Sequence, residues 1–157
     1  MHERELSILF KMHEVEREKK MAEHLYYVSL KYTKTGDVIL NLISRWERMI
    51  DKCMDILLKK AKKNKKISDI PTAPKAKELA IRQAYVKEPL VIQIMELYSL
   101  FRRIPQSEKL REHEFRKNVT LKIIDCGREV DANMEKLKEW NDLLLKFVDF
   151  VKKQKIK

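Results

Sequence analysis

The chain has 157 residues, 44% of them apolar and 38% charged, with a formal charge of +11 from 35 Lys and Arg against 24 Asp and Glu. This length supports one domain (1–157) with its own core, and two glycines with four prolines exclude the turn-rich build of an all-β sandwich. Charge of this sign points to polyanion partners, nucleic acid or anionic membrane, and not to a fold; ion-pair networks of Lys and Glu would explain many charges but not the excess.

Residues 3–32 read as one long helix, because Leu6, Leu9, Phe10, His13, Met21, Leu25, Val28 and Tyr32 recur at three- and four-residue spacing. The charged run Glu14–Lys20 leaves residues 1–20 free to stand off from the bundle. Thr33-Lys34-Thr35-Gly36-Asp37 is a turn in which Gly36 can take a left-handed conformation and Asp37 can cap the next helix. That helix, 37–63, carries an apolar stripe of Ile39, Ile43, Trp46, Ile50, Cys53, Met54, Leu57 and Ala61. Arg45, Arg48, Lys52, Asp55, Lys59 and Lys62 lie opposite.

Pro71 and Pro74 make 64–74 a loop. A short helix is expected over 75–85, and another from Pro89 to about Arg103 on Leu90, Ile94, Leu97 and Phe101. Ser107 is a candidate cap for the next element. Over 108–131 two readings stay open. Leu110, Phe115, Val119 and Ile123 could continue a helix, while β-branched Val119–Ile124 followed by Asp125-Cys126-Gly127-Arg128 fits a hairpin slightly better. A final helix spans 133–154 on Met134, Leu137, Trp140, Leu144, Phe147, Val148 and Val151, and 152–157 is a basic tail. The expected fold is therefore all-α, a bundle of five to six helices with room for one short β-hairpin near 119–130.

Cys53 and Cys126 lack the spacing of a disulfide framework or zinc site, and none of His2, His13, His24 and His113 pairs at metal-ligand spacing. No serine sits in a glycine-flanked elbow and no glycine-rich phosphate loop exists. No catalytic residue, cofactor or metal is expected. The charged N-terminus and short apolar runs give neither signal peptide nor membrane span, so the cytoplasm is the expected compartment.

Two basic groups stand out. Lys59, Lys60, Lys62, Lys63, Lys65 and Lys66 lie at a helix end with no acid among them, where each phosphate contacted would release condensed counterions. The plainer reading is a solvated run favoured by the helix dipole. Arg102, Arg103, Lys109, Arg111, Arg116 and Lys117 form the second group, with Glu108, Glu112 and Glu114 among them. Arginine grips phosphate at two points, although Glu112 and Arg116 could pair along a helix. Trp46 and Trp140 belong to apolar stripes, which leaves Tyr26, Tyr27 and Tyr85 as the aromatics that could face a base.

Ala22–Lys60, in which Tyr32-Thr33-Lys34-Thr35-Gly36-Asp37 joins two long helices, resembles the opening helix pair of HEPN domains. Leu110-Arg111-Glu112-His113-Glu114-Phe115-Arg116-Lys117-Asn118, ahead of a closing helix, is similar in position to the Arg-containing motif of that family. The resemblance covers about 20–153 and implies a helical bundle. Catalytic members cleave RNA with an arginine followed by a histidine four to six residues on. Arg116 and Asn118 match the start of that motif, but Leu121, Lys122 and Ile123 stand where the histidine belongs; Arg17 and His24 have such a spacing in a different helix. The resemblance thus implies a non-catalytic module. RNA or DNA backbone is the expected partner, with protein–protein interaction or dimerisation, and then HEPN-type ribonuclease action, as alternatives; no membrane partner is expected.

Overall fold

Helical periodicity carries through most of the chain. In the computed structural model, which describes residues 2–156 with side chains at 3 and 6–154, five helices form: α1 His2–His24, α2 Gly36–Lys63, α3 Pro74–Ala84, α4 Pro89–Arg103 and α5 Met134–Ile156. Three strands, β1 Glu108–Glu112, β2 Thr120–Asp125 and β3 Arg128–Asn133, stand between α4 and α5. The chain is therefore mostly α-helical with a short β element. Lys157 of the basic tail, and the Lys155 side chain, lie outside the described residues.

α2 is the axis, and the other four helices pack on it. Its whole expected stripe is buried, together with Leu42, Met49, Ile56 and Leu58. Side chains such as Trp46 and Leu57 each contribute about 1.5–3 kcal/mol by leaving water. Trp46 stacks on Phe101 with ring centres 6.2 Å apart, and Phe101 meets Trp140 edge to face at 5.3 Å. These contacts tie α4 and α5 to α2.

α1 continues past His24 through one π-helical turn, Leu25–Ser29, to Tyr32. Its charged stretch does not stand off the bundle. Lys11 pairs with Asp55 at 3.3 Å, Glu14 with Lys52 at 2.7 Å and Glu18 with Arg45 at 3.3 Å, so α1 runs antiparallel along α2. Glu16 binds Lys152 of α5. Met12, Val15 and Ala22 fill the space between these pairs. The polar side of α2 thus faces charges of opposite sign on a neighbouring helix.

Gly36 does not take the left-handed conformation expected of it. It is the first residue of α2; Thr35 is the cap, its Oγ1 accepting from the Val38 amide at 3.3 Å. Glycine is needed there for space, because a Cβ would come within 2.7 Å of Arg111 Cγ. Arg111 reaches over Gly36 to Asp37, which therefore forms an ion pair at 2.8 Å.

The hairpin reading of 119–130 holds, and a third strand extends it. β2 is central, antiparallel to β1 and β3, with Arg111 opposite Leu121 and Ile123 opposite Val130. Leu121, Ile123 and Ala132 point into the core, so the two-residue period wins over the helical one. Cys126 and Gly127, at φ 52° and 82°, make the two-residue turn that suits strand twist. Ser107 caps no helix: its hydroxyl donates to the Arg103 carbonyl at 2.8 Å, closing α4 ahead of β1. Glu112 pairs across the sheet with Lys122 at 3.4 Å instead of along a helix with Arg116. No described helix is long and apolar enough to cross a membrane.

Candidate nucleic-acid interface

The lysine run ends α2 and turns the chain back on itself. The Lys66 amide donates to the Ala61 carbonyl at 2.9 Å and the Lys65 amide to that of Lys62 at 3.0 Å, a Schellman closure. Such a closure needs one left-handed residue, and Lys65 supplies it at φ 58°. A lysine there costs more than a glycine would. Lys62, Lys63, Lys65 and Lys66 are exposed, and none has a carboxylate at ion-pair distance among the described residues. Lys62, Lys65 and Lys66 join Ile67 and Ser68 around a concavity of about 420 Å³. The other two lysines of the run are less open, Lys59 half-buried and Lys60 buried. Lys59 bonds the Ser7 hydroxyl of α1.

Lys87, in the turn between α3 and α4, joins this end of the molecule. It shares a second concavity of about 370 Å³ with Lys66, Tyr85, Val86, Glu88, Phe150 and Gln154. It too is exposed and without a carboxylate partner among the described residues. Sequence reasoning missed it, because a single lysine carries no pattern. Tyr85, expected as a candidate exposed aromatic, is buried: its hydroxyl donates to the Leu57 carbonyl at 3.0 Å, and burial pushes its pKa up to about 12. Tyr26 is half-buried, Tyr27 exposed, and both tryptophans are in the core.

The second basic group does not join the first. Arg111 pairs with Asp37 at the start of α2 and Lys63 ends it; at 1.5 Å of rise per residue those points are about 40 Å apart. Most of the group is also engaged. Arg103 grips both oxygens of Asp125, at 2.7 and 2.9 Å, holding that carboxyl below its usual range. Lys109 donates to the carbonyls of Ile104, Pro105 and Ser107. Arg102 lies 5.7 Å from the centre of the Tyr98 ring. Arg116 and Lys117 remain exposed on the β1–β2 loop, whose Phe115 amide donates to the Lys34 carbonyl at 2.6 Å. The segment Leu110–Asn118 is thus strand and loop, and the Arg17 and His24 side chains are exposed on α1.

One further charged concavity, about 650 Å³, lies between α2 and α4, lined by Glu18, Glu47, Arg48, Asp51, Lys52 and Arg102 among others. Three carboxylates face three cations there, so neither sign accumulates. Buried Lys77 adjoins it, within 2.8 Å of Asp51 and 2.7 Å of Asp55. Burial works against its charge, but hydrogen bonds to both carboxylates outweigh that and raise its pKa. Nothing in the sequence separated this lysine from the solvated ones.

No protein-family model, curated protein or solved structure matches this chain.

Proposed function

We infer that this protein binds nucleic-acid backbone through the end of the bundle formed by Lys62, Lys63, Lys65, Lys66 and Lys87, as a non-catalytic module of a larger assembly. One observation carries this reading: exposed lysines from two separate segments converge at one end with no carboxylate partner among the described residues. Elsewhere Lys11, Arg45, Lys52, Lys77, Arg103 and Arg111 are matched by acids. The helix dipole favours cations here as well, but it acts within the last turn and does not account for Lys87. Such a surface contacts phosphates without reading bases, so affinity falls steeply with salt. Fluorescence anisotropy of a labelled RNA of mixed sequence, titrated at several salt concentrations, tests it. Binding that is absent at low salt, or indifferent to salt, refutes it.

A second reading, a subunit that docks a partner or pairs with itself, is favoured by α1. Leu6, Phe10, Met21, Val28 and Tyr32 follow one another around its outer side and all are exposed. A stripe of this kind gains by being covered. Solution mass across a range of concentrations, for the protein and for Phe10→Glu, tests self-pairing; an unchanging monomer counts against it.

A further inference from the structure

The two concavities at the lysine end differ in chemistry and share Lys66. The first is ringed by lysines around Ile67 and Ser68, with no acid lining it. The second is lined by Val86, Phe150 and buried Tyr85, with Lys66, Lys87, Glu88 and Gln154 as its polar groups. Tyr85 is only 5% exposed, held beneath the cleft by its bond to Leu57 with Phe150 edge to face at 6.4 Å and the Lys66 ammonium 5.3 Å from its ring centre, so the open apolar wall is that of Val86 and Phe150. Val86 is 68% exposed although aliphatic, so this wall is left wet.

A surface that touches only phosphates needs no apolar cleft beside it. Glu88 gives the second concavity an acceptor that a base's amino group can use and a phosphate cannot, while Lys66 and Lys87 beside it can hold the phosphates flanking that base. We propose that this cleft receives one unpaired base of a nucleic-acid strand, while the adjacent phosphates lie on Lys62, Lys65 and Lys66. The proposal rests on the backbone-binding reading above and adds a preference for strand state. A duplex keeps its bases stacked inward and offers none to the cleft. Packing one base against Val86 and the part-exposed Phe150 ring is worth about tenfold in affinity, the low end of base–aromatic stacking.

The test uses the full chain and a short RNA carrying 2-aminopurine, presented as single strand, as blunt duplex and as the free 2-aminopurine nucleotide. The single strand is expected to bind about tenfold more tightly than the duplex and to change its fluorescence on binding. Val86→Ser, at an exposed position, is expected to remove that preference and leave the salt dependence unchanged. Equal binding of strand and duplex, or a preference that survives Val86→Ser, overturns the base cleft and leaves the backbone reading standing. A free nucleotide that binds as tightly as the strand also overturns it, by assigning the cleft to a small ligand. Absence of all binding at low salt takes both readings down together.

Discussion

Replacing Lys62, Lys63, Lys65 and Lys66 together with glutamine removes four charges from an exposed helix end without touching the core. On the proposed reading these residues and Lys87 would make five phosphate contacts, each contributing about −0.7 to the slope of log affinity against log salt for a single strand. The intact protein should therefore show a slope of about −3.5, and the quadruple variant about −0.7. Raising salt fourfold, from 50 to 200 mM, then weakens the first about 100-fold and the second about 3-fold. The control is Arg111→Gln, Arg116→Gln, Lys117→Gln and Arg128→Gln, which removes the same formal charge around the sheet. If net charge alone drove association the two variants would behave alike. Anisotropy titrations at four salt concentrations separate them. A control variant that loses as much slope as the lysine variant refutes the assignment to one end.

Lys65→Gly should raise stability by about 1 kcal/mol, since glycine takes the left-handed conformation without cost, while lowering nucleic-acid affinity; thermal melts and anisotropy read the two effects, and unchanged affinity would remove Lys65 from the interface. Lys77→Met should destabilise by about 2 kcal/mol, less than a fully buried pair because Asp51 and Asp55 are part-exposed, and lower Tm by about 4–8 °C; an unchanged Tm would contradict the bridge. The Lys52 hydrogen bond chiefly lowers the Glu14 pKa; at Glu16 burial raises the pKa, but the Lys152 hydrogen bond and the charges of Lys152, Lys19 and Lys20 together outweigh it. Both groups have folded pKa values below the ordinary 4.5, so the stability they contribute is present above that value and lost as pH falls through the folded pKa. Melts at pH 7, 5, 4 and 3 should show Tm holding to about pH 5 and then falling, and a Tm at pH 3 equal to that at pH 7 would contradict these pairs. Gly36→Ala should push Arg111 off Asp37 and loosen the loop at 113–119, read as faster amide exchange at Phe115; unchanged protection would refute the packing account.

The helices were legible because their apolar residues recur at a period the backbone imposes, and α2 begins and ends within a residue of its expected bounds. The β2–β3 hairpin was half legible: alternation over Val119–Ile124 competed with a helical pattern, and the Cys126-Gly127 turn tipped the balance. β1 was invisible, because an edge strand of sequence Glu-Lys-Leu-Arg-Glu shows no buried alternation. Spacing also could not tell a lysine paired across helices from one in solvent. Lys52 and Lys77 read the same as Lys62 until α1 and α2 supply their carboxylates. The lysine run was legible as a charge run, but its limits were not, since Lys59 is half-buried, Lys60 is buried and Lys87 arrives from a separate segment. The separation of the two basic groups follows from the length of α2 and the docking of the β1–β2 loop, and no local pattern encodes either.

Backbone amide shifts of the protein titrated with a short single-stranded RNA at low salt locate the contact surface directly. Binding at the lysine end predicts changes confined to 59–68, 84–88 and 150–154, with the strands and the 113–119 loop unmoved. Changes centred on Arg111, Arg116 and Lys117, or spread evenly over the surface, would contradict it.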